Sequence, residues 1–325
     1  MIRPMASLKK LALRIAARLS PESAGVHARL GRALAALGDD DRALAHLRVA
    51  LRYQPDHVVA LVSLGHWHVR RGDSRRAVPL YSRAMLLQPR DSDIPFSLAN
   101  ALFECGRVDE ALDAYGIVLR LNPLHARGWF NLGHAHKAHG DLASAEAAFG
   151  RALGAEPQFY KARFMRAHVL SLLGRQGEAV LEYRHTLRDC PSYVKAHYNL
   201  GNCYLKDGLV DNAIRSYRAV LKLDRTYEKA HFALGQALLR QGNRRRARAA
   251  FTEALRLRPD LHACRLQLAR LLEDSERPEE AAVHYRIFLR DAPASPEHDE
   301  VLRRLRARRP EQRTQPTQPS LAAAQ

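Results

Sequence analysis

Four basic side chains recur at one interval in this chain of 325 residues. Arg127, Lys161, Lys195 and Lys229 each stand 34 residues after the last, a row of cations suited to carboxylates or to another polyanion. Three positions on, in the same rhythm, come Phe96, Phe130, Phe164, Tyr198 and Phe232, which offer flat faces to apolar side chains or bases. Asn131 and Asn199 follow directly, and His66, Asn100, His134, His168, Asn202 and Gln236 form a further column. A carboxamide both donates and accepts, so it can hold an extended peptide backbone without reading its side chains.

Other chemistries are weaker. The chain has 16 histidines, but His66-x-His68 and His134-x-His136 lie two apart, on different faces of a helix. No carboxylate or cysteine partner completes a ligand set around these histidines, so structural or pH-sensing roles are expected and no metal or cofactor. Cys105, Cys190, Cys203 and Cys264 form no C-x-x-C pair and no disulfide framework. They read as small buried thiols of a reducing compartment. There is no G-x-S-x-G, no glycine loop for phosphate and no paired carboxylates in a plausible pocket, so no catalysis is expected.

Charge narrows the partners. Lys and Arg number 52 against 34 Asp and Glu, a formal +18 carried mostly by arginine. Such a balance favours an acidic peptide, nucleic acid or an anionic membrane surface. With 46% apolar and 26% charged residues, wholesale disorder is excluded. No run of eighteen apolar residues offers a membrane span. Lys9, Lys10, Arg14 and Arg18 interrupt the apolar stretch of residues 1–20, which therefore lacks the core of an export signal. A cytoplasmic location is expected.

The columns need a periodic scaffold, and the rest of the sequence supplies one. Prolines fall at 55, 89, 123, 157 and 191, then at 259 and 293, with Arg225 in the intervening slot. Twelve residues before each slot stands alanine: Ala43, Ala77, Ala111, Ala145, Ala179, Ala213, Ala247 and Ala281. Four residues after each alanine comes a large apolar group, among them Tyr81, Tyr115, Phe149, Tyr183, Tyr217, Phe251 and Tyr285. Leu-Gly or a variant marks the first half of every unit, and a glycine follows seven residues later, from Gly38 to Gly242, with Glu276 in the eighth slot. The apolar spacing between these marks is helical. Each unit reads as a helix, a glycine turn, a second helix and a proline stop.

The pattern resembles the tetratricopeptide repeat family, with Trp129, Leu132, Gly133, His136, Gly140, Ala145, Phe149 and Pro157 as the best copy. The resemblance implies an all-α, right-handed solenoid of antiparallel helix pairs. Eight repeats are expected at 24–57, 58–91, 92–125, 126–159, 160–193, 194–227, 228–261 and 262–295. A capping helix is expected within 1–23, an amphipathic segment over residues 7–20. Residues 296–309 read as a second cap and 310–325 as a disordered tail. Arg225 in a proline slot and Glu276 in a glycine slot suggest a looser joint between units six and seven and a weaker unit eight.

The family likeness also implies that the first helix of each unit lines a concave groove, with the second, fifth, sixth and ninth positions facing inward. The groove would then be basic over units four to seven, with Asp93, Glu104, Glu273 and Asp274 at its flanks. Asn100, Asn131 and Lys161 match three of the five slots of the carboxylate clamp of tetratricopeptide cochaperones. Phe96 and Met165 fill the other two, so that clamp is incomplete. The expected function is a non-catalytic scaffold that holds an extended, acidic segment of another protein. Single-stranded nucleic-acid binding is one alternative. A membrane-surface assembly factor anchored by the basic N-terminal helix is the other.

Overall fold

The computed structural model describes residues 22–293 and 295–306, together with Ala16 and Ser20. Apart from Ala16, Ser20, Glu22 and Ser23, the segment 1–23 expected as the N-terminal cap lies outside the described residues, as do 307–309 and the tail at 310–325.

Among the described residues there are 17 α-helices and no strand. They fall into two compact units, one ending at Pro191 and the other starting at Ser192. The first unit holds α1 (Ala24–Ala36), α2 (Asp40–Tyr53), α3 (Val58–Arg70), α4 (Ser74–Leu87), α5 (Asp93–Glu104), α6 (Val108–Leu121), α7 (Ala126–His139), α8 (Leu142–Ala155), α9 (Tyr160–Leu172) and α10 (Gln176–Asp189). The second holds α11 (Val194–Lys206), α12 (Val210–Leu223), α13 (Glu228–Arg240), α14 (Arg244–Leu257), α15 (His262–Glu273), α16 (Pro278–Asp291) and α17 (Pro296–Arg306).

Successive helices pair as antiparallel hairpins, and the cause is local. Each turn ends its first helix with a residue in the left-handed region, where a glycine has no Cβ to clash. Gly140 is the most open case at φ 95°. In the last hairpin Glu276 takes the same conformation at φ 58°, so the turn survives the loss of glycine at a conformational cost. The second helix then starts on a side-chain cap in α8, where Asp141 accepts from the Ser144 amide at 3.0 Å.

A second glycine sets the spacing within the pair. A Cβ on Gly133 of α7 would sit 2.7 Å from Cε1 of Phe149 on α8. A Cβ on Gly201 of α11 would sit 2.6 Å from Cε1 of Tyr217 on α12. The helices close onto those buried rings because nothing projects from the glycine. Removing such a ring would cost about 3–5 kcal/mol.

In the first unit Tyr81, Leu98, Leu102, Tyr115 and Ala135 share one apolar cluster, which binds α4 to α7. First helices of successive pairs also lie against one another, α1 on α3, α3 on α5 and α5 on α7. They make a continuous face there. In the second unit one core runs from Ala213 to Val301. It passes beneath Arg225, where the joint is held by Asp224 Oδ1, accepting from the Thr226 amide at 2.9 Å and its hydroxyl at 2.7 Å. The looseness expected at this joint therefore has no packing defect behind it. The closing helix α17 buries Val301 completely and is tied down by Arg270 to Glu300 at 2.6 Å and Arg304 to Glu273 at 2.7 Å.

Candidate functional site

The basic column sits near the start of the first helices, where side chains reach solvent. In the first unit Arg127 on α7 and Lys161 on α9 are exposed. In the second, Lys195 on α11 and Lys229 on α13 are exposed in the same way. None of the four makes an ion pair among the described residues. That sets them apart from neighbours that are neutralised. Arg166 of α9 meets Glu146 at 2.6 Å and Glu182 at 3.0 Å, while Arg163 reaches Glu182 at 3.4 Å and Asp189 at 3.4 Å. Arginines such as these are neutralised by intramolecular pairs, and the column is not.

The aromatic column is placed differently from its role as a set of open faces. Phe96 lies 4.8 Å from the ring of His125 and 6.3 Å from Tyr115. Phe130 packs between Phe149 at 5.7 Å and Phe159 at 4.9 Å. Phe164 is buried against Tyr183, with ring centroids 5.7 Å apart. In the second unit Tyr198 contacts Tyr217 at 6.0 Å and Tyr227 at 5.4 Å, and Phe232 contacts Phe251 at 5.9 Å. These rings wedge the first helix against its own partner and the following joint, and what they leave to a ligand is an edge.

The carboxamides are also engaged. Asn100 Oδ1 accepts from the hydroxyl of Tyr115 at 2.6 Å and from Nδ2 of Asn131 at 2.7 Å. Both lone pairs are used, so Asn100 has only its two amide hydrogens for a ligand. Asn202 Oδ1 likewise accepts from the buried Tyr217 hydroxyl at 2.8 Å. Where the ring on the second helix is phenylalanine, as in Phe149 and Phe251, there is no hydroxyl to satisfy, and His134 and Gln236 stand in the asparagine's slot; histidine also stands there opposite Tyr81 and Tyr183, as His66 and His168. His66 extends the arrangement: the Ser97 hydroxyl donates to the Asp93 carbonyl at 2.9 Å, so its Oγ accepts from His66 Nε2 at 3.2 Å. So the ninth position of one repeat bonds the sixth of the next at His66–Ser97 and Asn100–Asn131. Met165 and Ala233 have no group for that bond, while Asn199 and His168 are half-buried. Asn100 and Asn131 of the partial clamp are therefore brought into contact.

Electrostatics follow burial. His134 is held below its ordinary pKa by desolvation and by nearby Lys137, and His66 by desolvation and Arg70. Both are neutral bases near neutrality, with His134 wedged edge-on against Phe130 and Phe149. Burial pushes the Tyr115 and Tyr217 hydroxyls up, so they remain donors. The Cys264 thiol is pushed to about 12 by burial, which makes it inert packing. Among the described residues no three histidine, cysteine or acidic side chains are placed to hold a metal ion. No described helix is long and apolar enough to cross a membrane.

One periodic device is not visible in the sequence pattern, where Trp129 reads only as part of the best repeat copy. Trp129 Nε1 donates to the Pro123 carbonyl at 2.8 Å, and Arg163 Nη2 to the Pro157 carbonyl at 2.7 Å. His231 Nε2 bonds the Arg225 carbonyl at 3.0 Å, and Arg265 bonds that of Pro259. In these four repeats the slot holds an N–H on a long flat side chain, six residues after the carbonyl it satisfies, whereas Leu61 and Pro95 fill it without a donor. Aromatic character is incidental, and the 6-residue spacing was the available signal.

Known proteins carry the same pattern. A tetratricopeptide repeat family model matches residues 10–57, 130–194 and 232–296, another matches 194–227 and a third 60–94; a TPR repeat model matches 99–140. No curated protein matches the sequence significantly. Among solved structures, the C-terminal part of a TPR repeat-containing protein from Cytophaga hutchinsonii aligns with 74% of this chain and 98% of its own, at 13% identity and TM-score 0.63. A tetratricopeptide repeat protein from Parabacteroides merdae aligns with 77% of this chain and 98% of its own, at 19% identity and TM-score 0.56. YrrB, a TPR protein with an unusual peptide-binding site, aligns with 57% of this chain and 95% of its own, at 21% identity and TM-score 0.51. Helix pairs closed on a glycine, left-handed turns, and family models covering more than half the length agree: the chain belongs to the tetratricopeptide repeat family.

Proposed function

We propose that the protein is a non-catalytic interaction scaffold whose first-helix faces hold an extended, acidic segment of another protein. The observation that carries this reading is the set of exposed cations without acid partners, Arg127 and Lys161 in the first unit and Lys195 and Lys229 in the second. Beside them Asn100 and Asn131 keep amide hydrogens, and Asn199, Asn202 and Gln236 occupy the matching slots in the second unit. Cations would take the carboxylates of such a segment and amide hydrogens its carbonyls. The family's use of stacked helix pairs for protein contacts supports it.

Fluorescence anisotropy with a labelled, extended Glu-rich peptide tests the reading on the full chain. Lys161→Glu with Lys195→Glu should weaken binding about tenfold or more at low salt, because each reversal replaces attraction by repulsion. Arg245→Glu with Arg246→Glu, on the second helix α14, should leave affinity within about twofold. Equal affinity of the column variant and the parent would remove the first-helix faces as the site. A single-stranded oligonucleotide that bound more tightly than the peptide, with a steep salt slope, would transfer the reading to nucleic acid.

A further inference from the structure

The first unit carries a cavity that the column of cations does not explain. About 260 Å³ of space opens between α3 and α5, on the face that bears Asn100 one helical turn further along. Its floor is apolar, formed by half-buried valines including Val59 and Val62. His66 adds a neutral, hydrogen-bonded ring. One wall presents Asp91 and Asp93, both exposed and neither in an ion pair among the described residues. Asp91 Oδ1 accepts the Asp93 amide at 3.0 Å, which fixes the turn and leaves the Asp93 carboxylate uncommitted. The other wall is Arg32 of α1, exposed and likewise without an acid partner.

We infer that this cavity receives the side chain of one lysine or arginine in the bound segment. The inference rests on the reading of these faces as a peptide site. The chemistry matches along the side chain: the valines cover a four-carbon or three-carbon stem, and the paired aspartates meet its charged end. Arg32, on the opposite wall, suits the carboxylate of an acidic neighbour in the same segment. Charge therefore changes sign along the first unit, from carboxylates at α5 to cations on α7 and α9. A ligand acidic throughout would place a carboxylate against Asp91 and Asp93 and be repelled. A ligand with one basic residue beyond its acidic run is complementary in one direction only, so the cavity sets both specificity and polarity of binding.

Labelled peptides decide it on the full chain. An alternating Glu-Ser peptide carries lysine at one end, at the other end, or norleucine in place of each lysine. The lysine peptide of the correct polarity should bind about tenfold more tightly than its norleucine form, although lysine lowers its overall attraction to a basic protein. Asp91→Asn with Asp93→Asn should abolish that preference without weakening the norleucine peptides. Equal binding of lysine and norleucine forms, or a preference that survives in the variant, overturns the cavity's role and leaves the acidic-segment reading standing. Failure of every peptide to bind overturns both.

Discussion

Alanine at Gly133 and alanine at Gly154 make a matched experiment on what holds the helix pairs together. Both glycines lie inside helices of the same hairpin, Gly133 in α7 and Gly154 in α8. Each substitution gains about 0.5–1 kcal/mol of helix propensity. They differ in surroundings. A Cβ at Gly154 meets nothing within 4 Å, so that variant should be more stable than the parent by the propensity alone. A Cβ at Gly133 lands 2.7, 2.9 and 2.9 Å from three atoms of Phe149, a fully buried ring with no room behind it. Overpacking of that kind costs about 1–3 kcal/mol. The cost is bounded because alanine stands in the same slot in other repeats, where Ala99 shares a buried cluster with Tyr115 and Ala269 with Tyr285. The net expectation is a loss of about 1–2 kcal/mol for Gly133→Ala against a gain for Gly154→Ala. Urea unfolding followed by far-UV circular dichroism gives the order, and amide exchange in α7 and α8 localises it, which matters in a chain of two units that need not unfold together. If both variants shift stability equally in one direction, close approach onto the ring is not why glycine stands there.

Two further outcomes follow from the same geometry. Glu276→Gly relieves a left-handed residue worth about 1–2 kcal/mol while loosening the unfolded chain by about 0.4–1 kcal/mol, so α16 should gain up to about 1.6 kcal/mol in exchange-measured stability; a loss would mean the Glu276 conformation carries no strain. Burial holds His66 and His134 below their ordinary 6.5 in the folded chain, so the unfolded chain binds more protons as pH falls through 6.5. Stability should accordingly decline from about pH 7.5 to about pH 5.5, and His134→Gln should flatten part of that decline; an unchanged slope would show that His134 titrates as in water.

Much of the architecture could be read from spacing because each marker acts within its own hairpin. Pro55, Ala43 and Gly38 announce a stop, a close contact and a left-handed turn through backbone rules that need no distant partner. The site was only half legible for the opposite reason. That Asn100 is occupied depends on Tyr115 and Asn131, which come 15 and 31 residues later and meet it only once the pairs have stacked. Phe130 looked like an open platform until Phe149 and Phe159 closed on it from two other segments. The exposure of Lys161 was readable because it follows from the residue's position in its own helix. The looseness expected at Arg225 was read from a local departure from proline, whereas the core beneath that joint is set by Tyr217, Leu234 and Phe251.

The bond from the fourth residue of a repeat back to the carbonyl six positions earlier has an evolutionary corollary. Tryptophan, arginine and histidine serve as interchangeable fasteners at Trp129, Arg163, His231 and Arg265, since each brings an N–H to the same place. Drift among them alters charge, bulk and stickiness along the edge of the stack without re-spacing a joint. A lineage can thus recolour that edge for new neighbours one codon at a time, while the folding code beneath it stays constant.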